Sequence, residues 1–358
     1  MSIDQLLQSI AHSFPVREAN LDGQMLSGLR LNDGVVLTSS FRNSNFTRAF
    51  LTGMMFQDCD FSSASFTDAR FEKCMFVSCR AGASDWRRAR FVQSTFMSTD
   101  FGHSDFSETR FVQTTAMRCV LAHAILRGAT LSQSAIMDCE LADIVLDGAT
   151  LTNAAITQAD LRSAQFAGMR CETILLSECD LSERDLTGLR LARANLTGAK
   201  LNRTNLSGVD LSGSVLTDAS LTGADLSSAT APNTLFVRAD LRAARLRNAN
   251  LTQCVFVEAR LDGCDFSGTN LEMAVFTRAS ARSASFAGAD MSYALMHHAN
   301  TNGSDFSGSR FLRTDFHCAS TEGSLFVAQH GSALQTVPER AIAELYDVSR
   351  VIPFNGAC

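Results

Sequence analysis

Proline is scarce in this sequence, with 4 in 358 residues, and no stretch approaches the roughly 18 unbroken apolar residues that a membrane-spanning helix needs. The chain is therefore expected to fold without a bilayer, and no membrane partner is expected. Met1 to Ala11 has no basic leader and carries Asp4, so a cytoplasmic protein is expected, unexported by the general route. Strong charge of one sign is missing too. A net charge of -6 is mild and argues against nonspecific binding to nucleic acid, and no direct nucleic-acid binding is expected. CxxC pairs are absent although there are 11 Cys, and most of these share one position with Ala, Ser and Thr. They read as small buried thiols of a reducing compartment. No GxGxxG after a strand, P-loop or HExxH occurs, and no Ser, His and Asp set can be placed around one pocket. No enzyme and no cofactor is expected.

What the sequence does have is a repeat. From Leu21 to Phe326 every position ending in 1 or 6 falls in one register, giving 62 consecutive pentads without insertion or deletion. Leu, Phe, Ile, Val, Met or Trp occupies 55 of these centres, and Ala, Ser, Thr, Cys or Gly stands two residues earlier in 53. Such a period suits neither regular element. On an α-helix at about 100° per residue, successive centres would spiral around the axis. On a flat strand they would alternate between faces. The chain must turn at each pentad so that every centre points to one axis. Turns of about a right angle close a coil in twenty residues, and coils stacked at ~4.8 Å give about fifteen coils and a rod near ~75 Å long.

Columns of centres spaced by twenty residues support that closure: Phe46, Phe66, Trp86 and Phe106 align, as do Phe236, Phe256 and Phe276, and Phe266, Phe286, Phe306 and Phe326. Runs such as Ala194-Asn195-Leu196-Thr197-Gly198 and Ala224-Asp225-Leu226-Ser227-Ser228 show the motif plainly. The pattern resembles the pentapeptide-repeat family over roughly residues 19–328. That resemblance implies an all-β solenoid, a right-handed quadrilateral parallel β-helix, and leaves function open because the family's members have different partners.

Caps are expected at both open ends. Residues 1–18 read as an N-terminal helical cap, with Ser2 and Gln5 as a capping box and Pro15 as the stop. Residues 329–358 read as a C-terminal helix and tail, with Pro338 at a first helical position before Glu339 to Tyr346. Between Met169 and Leu189 the small position holds Met169, Ile174, Arg184 and Leu189 while one centre shrinks to Cys171, which predicts a local bulge or bend.

Residues flanking each centre point outward, so sorting them by column maps four sides. On the side centred on Val36, Phe56 and onward to Phe316, the residue before the centre is apolar in 11 of 15 coils, against 1 of 16, 4 of 16 and 1 of 15 on the others. These residues include Val35, Met55, Met75, Leu175, Val215 and Leu235, and continue through Val255, Val275 and Leu295. After the centre, Val77, Met97, Met117, Val237 and Val257 repeat the bias. Strand preference for β-branched residues would affect all sides alike. A protein interface is therefore expected on this side, with a second copy or another protein as partner. The C-terminal helix is a second candidate for a homodimer contact. One neighbouring column carries Arg30, Arg70, Arg90, Arg110, Arg170, Arg190 and Arg310, and two others are rich in Asp. Such charges read first as solvated surface.

No metal site is expected, because standard ligand spacing is missing, although coil stacking brings His297 over His317 and His298 beside Cys318, with His103 over His123 elsewhere. The function expected is a non-enzymatic protein-protein interaction scaffold or adaptor. Family association places such proteins beside bacterial secretion or toxin-delivery machinery. The alternative implied by the resemblance is a DNA mimic that binds DNA gyrase or another type II topoisomerase, as quinolone-resistance members do. Mimicry needs a continuous negative surface. Here Arg80, Lys200, Arg245 and Arg260 interrupt the Asp columns.

Overall fold

The computed structural model describes residues 1–344. Its building step is a turn two residues after each centre, where φ is positive: 53° at Asp58, 58° at Ser63 and 59° at Asp68. Asp, Asn and Gly tolerate that left-handed conformation best, and they recur there. Each turn swings the next centre inward. After a full circuit the backbone meets itself: the amide of Phe41 donates to Asp60 O at 2.7 Å and that of Phe46 to Ser65 O at 2.7 Å. Ladder partners are twenty residues apart up to the last coil, as Val35 with Met55 and Met55 with Met75, and only after Leu312 does the register slip, pairing Asp315 with Leu334. The result is a parallel β-solenoid of about 16 turns, with only two short helices among the described residues.

Two adjoining sides form regular strands in the first half. One eight-stranded parallel sheet runs from Val16–Arg17 through Val35–Leu37 to Ala155–Thr157, and a second from Arg30–Asn32 to Arg170–Glu172. Beyond Glu172 the same sides continue as single-residue bridges, and tight turns occupy every corner as far as Arg310. The axis is filled by the centres. Phe46 stacks on Phe66 at 4.9 Å, Phe66 on Trp86 at 3.9 Å and Trp86 on Phe106 at 5.8 Å. A second stack runs Phe266, Phe286, Phe306, Phe326 at 5.0, 4.9 and 4.9 Å. Layers of this kind bury about 1.5 to 3 kcal/mol of apolar side chain per centre, which offsets the ordering entropy of an open shape.

Small positions fill the corners with Ala, Ser, Thr and thiols. Cys74 and Cys254 are buried and free, and burial pushes their thiols up to about 11 and about 12. Thiolate chemistry at neutral pH is thereby suppressed.

At the N-terminus, α1 (Ile3–Ala11) closes the first coil. Ser2 Oγ accepts the Gln5 amide at 3.2 Å, and the Gln5 side chain accepts the Ser2 amide at 2.9 Å, the reciprocal box read from the sequence. Leu6 and Ile10 are buried on the solenoid end. Ile10 rests against Gly34, where a Cβ would come within 3.1 Å of both its γ carbons.

The irregular stretch interrupts the ladder without shifting its register. Leu175 still bridges Ala155 and Asp180 still bridges Asp160, whereas no rung joins Gln165 to Asp185 or Arg170 to Arg190. Arg184 explains this. It stands where a small residue belongs and cannot enter the core, so its guanidinium turns into the gap and donates to Arg162 O at 3.0 Å and to Ala164 O. It also lies 5.4 Å over the Phe166 ring. An arginine thus takes over part of the hydrogen bonding of a missing rung.

The C-terminal end adds a strand that the pentad pattern does not announce. His330–Leu334 pairs in parallel with Arg310–Asp315, before α2 (Pro338–Glu344) folds back over the outer surface. Tyr346 and the tail through Pro353 lie outside the described residues.

Candidate protein-interaction face

The expected interface residues share one ladder. Val35, Met55 and Met75 occupy successive rungs, and Val215, Leu235, Val255, Val275 and Leu295 form an unbroken run of bridges further along. Leu175 lies between the two groups, one rung after Ala155. Val77, Met97 and Met117 pair in line on the other flank of the centres, and Val237 and Val257 repeat that position in the later coils. Most are half-buried, and Met75 and Leu235 are 39% and 36% exposed. The polar interruptions are Thr95, Thr115, Asn195 and the terminal Asp315.

Within this side lies a feature that the residue list did not single out. The centre column reads Phe96, Ala116, Ile136, and the alanine leaves a cavity of about 30 Å³ lined by Phe96, Phe101, Phe106, Phe111, Leu121 and Leu131 among others. Ala116 is the centre of this rung, between Thr115 and Met117 of the apolar side. The signal was available as an alanine in a column of large centres.

Flanking this side is the arginine column. Arg70, Arg90 and Arg110 sit on consecutive rungs, and Arg30 and Arg70 lie 5.3 and 5.1 Å over the Phe50 ring. Like charges on adjacent rungs oppose the ladder. The aspartate columns behave differently. The carboxylate before a centre accepts the amide two residues on, as Asp180 does from Ser182 at 3.0 Å and Asp305 from Ser307 at 2.8 Å. This is turn chemistry. Many also pair with a cation: Asp225 with Arg245 at 2.9 Å, Asp160 with Arg162 at 2.6 Å, and Asp240 with Arg242 and Arg260 at 2.7 and 3.3 Å. The hydrogen bond from Arg162 holds Asp160 below the usual carboxylate range, and Arg88 and Arg238 do the same for Asp68 and Asp218.

The histidines divide. His103 and His123 stack face to face at 4.6 Å, and His123 faces Asp143 at 3.5 Å. His297 Nε2 donates to Asp315 Oδ2 at 2.8 Å. His298, His317 and Cys318 converge with Glu344 of α2. Nothing in the repeat pattern pointed to Glu344, since a helix that folds back is positioned by tertiary packing. Hydrogen bonds from Arg340, His298 and His317, acting against partial desolvation, hold the Glu344 carboxyl at about 2.

A continuous parallel solenoid, filled along its axis and apolar on one outer side, defines a repeat protein whose usable surface is its exterior. The pentapeptide-repeat family model matches in 8 copies, covering residues 39–76, 74–113, 117–153, 175–213, 219–257, 234–272 and 259–297. The chain belongs to the pentapeptide-repeat family. No curated protein matches it. Among solved structures it is similar to QnrB1, a plasmid-mediated fluoroquinolone resistance protein, at 20% identity over 52% of this chain and 93% of that one, with a TM-score of 0.32. It is also similar to HetL, a pentapeptide repeat protein involved in heterocyst differentiation regulation in the cyanobacterium Nostoc, at 24% identity over 74% and 96% of the two chains, with a TM-score of 0.19. A third is a pentapeptide repeat protein of the Arabidopsis thaliana thylakoid lumen, at 30% identity over 32% and 65%, with a TM-score of 0.23. Among the described residues no helix is long and apolar enough to cross a membrane.

Proposed function

We propose that this chain is a non-enzymatic scaffold that binds protein through its apolar side. The observation that carries the reading is the half-exposed apolar ladder, unbroken from Val215 through Leu235, Val255 and Val275 to Leu295, whose earlier rungs around Met75 stand beside a column of arginines. A contiguous apolar strip is unusual on a soluble monomer, and stacked like charges cost stability that an acidic partner would offset. The fitting partner therefore presents apolar residues flanked by carboxylates. A second copy meeting the same side is the self-associating form of this reading. A cytoplasmic adaptor beside bacterial secretion or toxin-delivery machinery is one setting for it.

Ion pairing along the aspartate columns favours the scaffold over DNA mimicry, because carboxylates bonded to Arg245, Arg260 and Lys200 present little continuous negative potential. The test is solution mass by light scattering across a wide dilution range. A dimer that Val255→Lys converts to monomer, with the β-rich circular dichroism unchanged, supports self-association. A monomer in wild type directs the search to an acidic-apolar protein partner whose binding Val255→Lys abolishes. If Val255→Lys and Leu235→Asp alter neither assembly nor partner binding, the proposal fails. Protection of DNA gyrase from quinolone in a supercoiling assay would favour mimicry instead.

A further inference from the structure

We propose that His298, His317, Cys318 and Glu344 form a zinc-class divalent metal site that fastens α2 to the last coils of the solenoid. Each of the four offers a ligand atom, and these atoms lie within 4.8 Å of one another. The coil geometry supplies three of the four ligands: His298 and Cys318 are twenty residues apart and so stand on adjacent coils, and His317 precedes Cys318 in the chain. Helix α2 supplies the rest. One carboxylate oxygen, Glu344 Oε2, meets His298 Nε2 at 2.8 Å and His317 Nε2 at 3.2 Å.

A second observation points to a ligand. His317 is 0% exposed, yet its Nδ1 is enclosed without a hydrogen-bond partner. Buried polar atoms are normally satisfied, and a buried imidazole that meets Glu344 through Nε2 while its other nitrogen has no partner is a group a cation would complete. His297 is the contrast. Its Nε2 meets Asp315 at 2.8 Å and its Nδ1 meets Arg340 at 3.4 Å, so both nitrogens are occupied and it stays outside the ligand set. Arg340 also donates to Glu344 Oε1 at 2.8 Å, which orients the carboxylate and leaves Oε2 toward the imidazoles. Outer partners of this kind fix ligand orientation in metal sites.

Two imidazoles, a thiolate and a carboxylate make a mixed N, S and O set suited to tetrahedral Zn²⁺ and unsuited to Mg²⁺ or Ca²⁺. Bond lengths of about 2.0 to 2.3 Å require the four donors to close inward by about 1 Å, within reach of side-chain rotation on a half-exposed surface. On binding, the Cys318 proton and any imidazolium proton leave to solvent, and the thiolate and carboxylate together neutralise the dication. Occupancy would make α2 part of the solenoid cap.

The test uses Co²⁺ as the probe, titrated without oxygen into the chelator-treated full chain. The expected result is uptake of one equivalent with intense tetrahedral d–d absorption and a thiolate-to-cobalt charge-transfer band, both displaced by Zn²⁺. Cys318→Ser should remove the charge-transfer band, and His298→Ala should weaken uptake by more than about tenfold, as loss of even an outer partner does. Ser is nearly isosteric and Cys318 is partly exposed, so folding is retained and circular dichroism verifies it. No uptake at micromolar Co²⁺, uptake without a thiolate band, or a band that survives in Cys318→Ser overturns the assignment.

Discussion

Ala116→Ile separates the demands of folding from those of binding. The cavity below Ala116 is about 30 Å³ and is lined almost wholly by apolar side chains. At about 24 cal/mol per Å³, filling it recovers about 0.7 kcal/mol, and three added carbons at about 0.8 kcal/mol each set an upper limit near 2.4 kcal/mol. Isoleucine is the neighbour at Ile136 in the same column, so its shape already suits the ladder. A solenoid unfolds in segments, which makes a single global midpoint a poor readout. The assay is native-state hydrogen exchange of the amides from Phe111 to Ile136, where protection should rise by about 0.7 to 2 kcal/mol. The added carbons point to the axis and leave the outer apolar strip unchanged, so higher protection with retained binding is the combined expectation. A fall in protection would refute the cavity argument, and lost binding would show that the substitution disturbs the outer surface.

Gly34→Ala should loosen α1, because the new Cβ would lie 2.9 Å from Met54 Cε and 3.1 Å from the Ile10 γ carbons. Overpacking of this sort costs about 1 to 3 kcal/mol, seen as faster proteolysis within residues 1–20, and unchanged cleavage would count against the packing described. Stability should fall on acidification. Asp68, Asp160 and Asp218 titrate below their unfolded range, so the stability they contribute is present above about pH 4 and lost as pH falls through their lower folded values. Arg238→Gln should flatten that loss slightly; local opening free energies from hydrogen exchange, corrected for its intrinsic pH dependence, that stay constant from neutrality to pH ~3 would contradict the pairing.

The fold was legible because a register kept from Leu21 to Phe326 allows one closure, and because side-chain columns then follow by counting. Phe66 under Trp86 and Phe286 under Phe306 are direct readings of that count. The restriction of true strands to two sides before Glu172 was not legible, since strand and turn differ there only in backbone angles at the corners. The irregular small positions announced a disturbance near Arg184, but its form, a side chain standing in for backbone, depends on space that the pattern does not encode. The strand His330–Leu334 keeps the twenty-residue pairing with Arg310–Leu312 while placing Gly331 where a centre belongs, so a search for apolar centres passes over it. Of the candidate site, the apolar column was visible and the cavity beneath it at Ala116 was overlooked. Glu344 was beyond reach because nothing local dictates where α2 docks.

The constant spacing of twenty residues per rung makes the molecule a ruler. Ala116 and His317 are separated by about ten coils, or roughly 48 Å at the ladder spacing. Each coil contacts only its neighbours, so inserting or deleting one whole coil between Leu191 and Arg310 would change that separation by about 4.8 Å and leave every other contact intact. A partner that reads two marks along the rod would register such a change as lost affinity, whereas a partner that grips one coil would not notice it.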